Sequence, residues 1–167
     1  MLTDLGEIVL ELDAAKAPIS VANFLAYVND GFYNGTNFHR VISNFMIQGG
    51  GYAYSSAAGY QQKATNAAIA LEKTSATGLS NLRGSVAMAR TSVANSATSQ
   101  FFINVVDNLF LDAANQADGN GYAVFGSVIS GMSVVDQIKI VPILSGTAGI
   151  TDQPATPVFI LWAYQIK

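Results

Sequence analysis

The chain has 167 residues, half of them hydrophobic and only 11% charged, with a net charge of −3. That length fits one domain with a full core, and the weak negative charge with scattered Lys and Arg excludes the basic field that nucleic acid requires. With no cysteine, disulfides, thiol nucleophiles and thiolate metal sites are excluded as well.

Residues 1–12 alternate in strand fashion and predict two short strands about Asp4-Leu5-Gly6, a hairpin whose buried face is Ile8, Leu10 and Leu12. From Pro18 the period changes. Pro suits the first helical turn, Val21, Phe24, Leu25 and Val28 follow at helical spacing, and the glycines of "NDGFYNG" stop the run. Strands are expected at 37–42 and 45–48, then a Gly, Ser and Ala-rich stretch over 49–84, of which 52–76 reads as a structured loop. Strands near 85–89, 99–105 and 121–129 come next, with a second helix over 130–141 carrying Met132, Val135 and Ile138. The terminal "PVFILWAYQIK" suits a buried closing strand at 158–166 and is too short to span a membrane. This order predicts a mainly antiparallel β protein with two helices, closed as a barrel.

Candidate chemistry is sparse. One histidine without cysteine leaves few ways to bind a transition metal, and no acidic series resembles a calcium loop. A serine hydrolase would need His39 as its base, and no G-x-S-x-G elbow is present. The glycines at 49–51 lack the G-K-[ST] of a phosphate loop and read as a flexible turn where backbones approach closely. Asn34-Gly35-Thr36 fits a turn better than a glycosylation site. His39 reads as hydrogen-bonded scaffold. Arg40, set among Phe38, Val41, Ile42, Phe45 and Met46, is either an outward strand charge or a fork that something planar and polar receives.

Four segments in one order, "FHRVISNFMIQGG" (38–50), "GSVAMART" (84–91), "SATSQFFINVVDN" (96–108) and "GYAVFGSVISGM" (121–132), resemble the bacterial branch of the cyclophilins, the peptidyl-prolyl cis-trans isomerases. The likeness covers nearly the whole chain and is weakest at 52–80 and 142–157. It implies an eight-stranded antiparallel barrel capped by two α-helices, with a peptide groove on its outer face and neither metal nor cofactor. Arg40 matches the family's catalytic arginine. Phe45, Met46 and Phe102 match its proline pocket, with Phe110 and Leu111 as the rim. Gln48 and Gln100 match residues that orient the arginine or bind substrate backbone, and Ala89 and Arg90 match the stretch that pairs with the peptide.

Three positions depart from the eukaryotic pattern: Phe110 for tryptophan, Tyr122 for histidine and Arg90 for asparagine. The first removes an indole donor, so weak cyclosporin binding is expected with activity retained. Tyr122 keeps a polar tip on a flat ring, and Arg90 is expected to add positive charge at the groove edge. The implied partners are proline-containing polypeptides, with no nucleic acid and no membrane, and a monomer is expected. A non-catalytic proline-binding chaperone or adaptor is the rival reading, and the intact Arg40, Phe45, Met46, Gln48, Gln100 and Phe102 set favours the enzyme. A chain that begins inside a strand suits removal of a secretion signal, so the periplasm is expected, with the cytoplasm as alternative.

Overall fold

The computed structural model describes residues 1–144 and 151–166. In chain order it comprises β1 (Leu2–Thr3), β2 (Gly6–Glu7), β3 (Val9–Leu12), α1 (Pro18–Asn29), β4 (Thr36–Ile42), β5 (Met46–Ser55), β6 (Gly59–Gln62) and the single turn α2 (Thr74–Thr77). Then follow β7 (Ser85–Met88), β8 (Phe101–Asn104), two 3-10 turns (Leu109–Leu111 and Ala113–Asn115), β9 (Val124–Ser130), α3 (Met132–Ile138), β10 (Ile143–Leu144), β11 (Gln153–Pro154) and β12 (Val158–Trp162). No helix among the described residues is long and apolar enough to cross a membrane.

Nine strands follow one antiparallel path, β2-β1-β12-β4-β5-β8-β7-β9-β3, and β6 adds to β5 off it. The two ends of this path, β2 and β3, are joined in the chain by Ile8 alone, so the sheet curls into a nearly closed barrel. Ile8 is fully buried at the join, where its N–H donates to the Met1 carbonyl (2.8 Å). The expected hairpin is therefore half right. Thr3 pairs with Gly6 across the turn, but Leu10 and Leu12 belong to β3 and pair with β9 at the opposite end of the sheet path. Alternation in residues 1–12 could not show that crossing, because both partners lie far away in sequence. Splitting this segment into three strands is one reason the count exceeds the eight implied by resemblance.

Period-two alternation sorts the sheet's residues onto two faces. Ile47, Val86, Phe101, Ile103 and Phe125 point inward with Phe24, Tyr33 and Phe38 into the barrel core. Their neighbours Met46, Ala87, Phe102 and Val124 form a second, smaller apolar cluster with Leu111. Helix α1 closes the core with Val21, Phe24, Tyr27 and Val28, whereas the expected Leu25 is only partly buried. Its first turn lacks a local cap. Glu72 supplies one from 52 residues away, its two oxygens accepting the N–H groups of Ile19 (2.9 Å) and Ser20 (2.8 Å). Helix α3 is shorter than expected: Gly131 precedes it at φ 88°, and a Cβ there would lie 2.2 Å from the Glu7 carbonyl oxygen.

Two expectations need correction. First, the stretch after residue 48 begins as sheet, not loop: β5 continues to Ser55, turns at Gly59 (φ 68°) and returns as β6, pairing Tyr52 with Gln62 and Tyr54 with Tyr60. The Ala and Ser richness hid strands whose pairing is anchored by tyrosines. Beyond it, residues 63–73 are indeed tied down, Asn66 N–H to the Tyr27 hydroxyl (2.9 Å) and Ile69 N–H to the Ala97 carbonyl (2.9 Å). Second, the closing strand stops at Trp162. Val158, Ile160 and Ala163 are buried, but Leu161, Trp162, Tyr164 and Ile166 are exposed, since the pairing with β4 ends at Ile160 and that with β1 at Trp162.

Candidate active site

Strand β4 would alternate strictly if Phe38 and Arg40 shared a face, and Arg40 would then enter the core. It does not, because the ladder with β5 is irregular: Phe38 lies opposite Gly49, yet Arg40 lies opposite Gln48. Two steps on β4 thus match one on β5, a β-bulge at His39 that reverses the phase of the strand. Phe38 and Val41 both reach the core, while Arg40 turns out beside Gln48, with a third of its side chain exposed. A second irregularity, between Thr36 and Phe38, puts the extra residues on β5 at the triple glycine. Gly50 adopts φ 79°, and a Cβ on Gly51 would lie 2.6 Å from Gln100 Cγ. The close approach expected of these glycines is present, but they form strand and bulge and not a turn.

Gln100 fills the space that Gly51 leaves. Its Oε1 accepts from Gln48 Nε2 (2.8 Å), so the two amides are locked together directly behind the strand position opposite Arg40. His39 is buried beside them, its ring 4.6 Å from that of Tyr52. Burial pushes its pKa down to about 4, a shift opposed by the Asn37 backbone and the Gln100 side chain and reinforced by Arg40. An imidazole that stays neutral and inside the protein cannot serve as the working cation. Among the described residues its Nδ1 has no hydrogen-bond partner.

Outward-facing side chains of three strands, β4, β5 and β8, and of the segments beside them converge on a cleft of about 120 Å³ lined by Arg40, Phe45, Met46, Gln48, Ala89, Arg90, Phe102, Leu111 and Tyr122. Met46, Phe102 and Leu111 make its buried apolar floor. Tyr122 stands edge-on to Phe102 with centroids 5.8 Å apart, and Phe45 stacks on Phe110 at 5.6 Å. Phe110 itself stays outside the cleft, 54% exposed, and Gln100 lies behind it. All eleven residues singled out from sequence are thereby either in this cleft or in contact with a residue that is.

Arg90 departs from expectation. Its side chain is folded in, only 5% exposed, with Nε donating to the Gly121 carbonyl (2.7 Å), Nη1 to the Thr91 carbonyl (3.0 Å) and the guanidinium 4.7 Å over the Tyr122 ring. It braces Tyr122 more than it charges the groove edge. The neighbouring Ala89 N–H is bonded to the Gln100 carbonyl (3.0 Å), so this donor is already engaged within the protein.

Sequence reading missed two acids. Asp152 Oδ2 lies 3.7 Å from Arg40 Nε, and its carbonyl accepts the Val41 N–H (2.8 Å); Asp118 Oδ2 lies 3.8 Å from Arg90 Nη2. Both come from segments without periodicity, and nothing in their spacing could have assigned them to these arginines. Asp152 alone among the described non-glycine residues has positive φ, 58°, which an Asp at a turn tolerates.

Residues 1–164 match the family described as cyclophilin type peptidyl-prolyl cis-trans isomerase/CLD. The chain is 50% identical over 167 residues to peptidyl-prolyl cis-trans isomerase A of Dickeya dadantii, covering 100% of this chain and 83% of that protein. It is 55% identical to a peptidyl-prolyl cis-trans isomerase of Acinetobacter baylyi, covering 100% and 84%, and 49% identical to isomerase B of Escherichia coli, covering 95% and 93%. Among solved structures, a cyclophilin type isomerase of Cryptosporidium parvum, crystallised in the presence of the dipeptide Ala-Pro, superposes with a TM-score of 0.75 at 27% identity, covering 96% of this chain and 92% of that one. A barrel closed through Ile8, with an apolar cleft and an arginine on its outer face, thus has the sequence relatives its motifs implied, and the chain belongs to the cyclophilin-type peptidyl-prolyl cis-trans isomerases.

Proposed function

We propose that the cleft holds the proline of an X-Pro segment and that Arg40 accelerates rotation of the bond before it. A single observation supports this reading most: the partly exposed Arg40, an apolar pocket and Gln48, itself held by Gln100 behind it, meet at one cleft of about 120 Å³, a size suited to a single small ring.

The uncatalysed bond crosses a barrier of ~18–20 kcal/mol because rotation breaks amide resonance. In the twisted state the prolyl nitrogen becomes pyramidal and basic. A guanidinium N–H aimed at that lone pair stabilises the twisted state above both planar ones, which is the condition for acceleration. Arginine suits the role because it stays charged at any working pH and presents several fixed donors. With Nε turned toward Asp152, the Nη groups remain to address the substrate. Phe45, Met46, Phe102 and Leu111 grip the ring while the preceding carbonyl swings through the open side, and no covalent step or cofactor is required.

The test is isomerisation of an Ala-Pro peptide followed by NMR exchange. Arg40→Ala is expected to lower kcat by about a hundredfold or more while leaving peptide affinity within a few fold. No acceleration by the wild type, or equal acceleration by the variant, refutes the reading.

A further inference from the structure

Two walls of the proline pocket are not held by strand pairing. Phe45 sits in the turn between β4 and β5, and Leu111 sits on a 3-10 turn of three residues, next to Phe110, which stacks on Phe45 outside the cleft. The Phe45 carbonyl accepts the Val105 N–H just past β8 (3.1 Å) and the Leu111 carbonyl accepts the Tyr122 N–H (3.0 Å), but neither bond ties the two segments to each other. Asn108, 2% exposed, connects them. Its Nδ2 donates to the Phe45 carbonyl (2.7 Å), its own carbonyl accepts the Leu111 N–H (2.8 Å), and its N–H donates to the Asn81 carbonyl (2.7 Å).

Behind Asn108 lies a chain of buried amides. The second hydrogen of its Nδ2 goes to Asn104 Oδ1 (2.7 Å), and Asn104 Nδ2 donates to Asn81 Oδ1 (3.1 Å) and Ser85 Oγ (2.8 Å). The chain ends on Asp112, the residue after Leu111. Its Oδ1 accepts from the backbone N–H (2.9 Å) and the side-chain Nδ2 (2.8 Å) of Asn81, and its Oδ2 from the Ser80 hydroxyl. Asn81 and Asn104 are fully buried, and among the described ion pairs none involves Asp112, so its charge is met by these donors. Every amide group in the relay has a partner that fixes its orientation, and bonds to a carboxylate at low dielectric are the strong ones.

A polar relay of this kind is costly to bury if its only purpose is cohesion, and an apolar cluster of the same volume would serve as well. Its distinctive property is geometric: it begins at the carbonyl of one pocket wall and ends at the residue that follows the other. We propose that Asn108, anchored through Asn104 and Asn81 on Asp112, is a positioning residue that sets the width of the proline pocket between Phe45 and Leu111. Pocket width matters because a ring gripped on all sides loses affinity when one side moves by even about 1 Å. The inference rests on the reading of this cleft as the proline pocket.

Asn108→Ala tests it. Because the pocket grips the ring in planar and twisted states alike, KM for an Ala-Pro peptide is expected to rise roughly fivefold to twentyfold with kcat held within about twofold. Cross-ring NOEs of the Phe45–Phe110 stack, 5.6 Å apart in the native protein, should weaken in the same variant. A merely structural role would lower the melting temperature and leave both KM and the stack unchanged, and that outcome overturns the proposal. Asp112→Asn keeps the shape and removes the charge that organises the relay; it should raise KM roughly twofold to fivefold, and it decides the matter alone if Asn108→Ala does not fold. Phe45→Ala separates the two readings. If it leaves KM unchanged, the pocket assignment itself is wrong; if it raises KM and neither relay variant does, only the positioning role is.

Discussion

The two faces of the barrel wall use neighbouring residues for opposite ends. Phe101 points inward, fully buried against Phe24, Tyr33 and Phe38, whereas Phe102 points outward onto Met46, Leu111 and Tyr122 at the floor of the cleft. The same split divides Ile47 from Met46, Val86 from Ala87 and Phe125 from Val124. Inside, aromatic rings interlock at centroid separations of 5.1 to 6.1 Å and leave no room for a guest. On the outer face only five buried residues gather, one of them the small Ala87, and a cleft remains. The inner face is filled by packing, and the outer face keeps an open cleft.

Substituting one residue of each face gives the largest effect. Phe101→Ala is expected to cost about 3–5 kcal/mol in denaturant unfolding, with KM of the folded protein within about twofold. Phe102→Ala should cost less, because its ring borders a cleft open to water, and should raise KM about tenfold. Equal destabilisation with equal KM values would break the comparison.

The neighbours His39 and Arg40 sharpen it, since the bulge sends one inward and the other outward. His39 in the folded protein is pushed from 6.5 down to about 4, so the unfolded chain binds the proton more readily. Its contribution is therefore whole above pH 6.5 and declines as pH falls toward 4, by on the order of 3 kcal/mol. Urea unfolding at two pH values checks this: wild type should lose more stability on acidification than His39→Gln. Over the range where the protein stays folded, kcat/KM should not follow the histidine, and a sigmoid centred near its ordinary value would move the catalytic role from Arg40 to His39.

The smallest effect is expected at Asp152, whose pair with Arg40 is a third exposed on both sides and 3.7 Å long. Asp152→Asn keeps a residue that tolerates φ 58° and should change kcat/KM less than about threefold, a difference that vanishes at high salt. A larger or salt-independent change would mean that Asp152 orients the arginine.

Much of this was legible in the sequence. Period-two runs located β4, β7, β8 and β9, the helical stripe after Pro18 located α1, and the resemblance of "FHRVISNFMIQGG" and "SATSQFFINVVDN" to the cyclophilins picked out residues that meet in or beside one cleft. Signals of that kind survive in one dimension because alternation and helical period are local. What composition obscured was the β5–β6 hairpin, hidden among Ala and Ser, and the exposed half of the last strand, where apolar content overstated burial.

Other features were decided only by tertiary structure. The bulge at His39 depends on how β4 and β5 register, so whether Arg40 faced core or solvent was undetermined until the partner strand was in place. Glu72 caps α1 from 52 residues away, Asp152 reaches Arg40 from 112 residues on, and the Asn108 relay joins segments separated by up to 63 residues. The sequence by itself determined which residues alternate, which form a helix and which chemical groups were available. Their pairing was left to the closed sheet, because a hydrogen bond or a phase reversal between strands requires two chain segments to meet, and neither segment alone carries the position of the other.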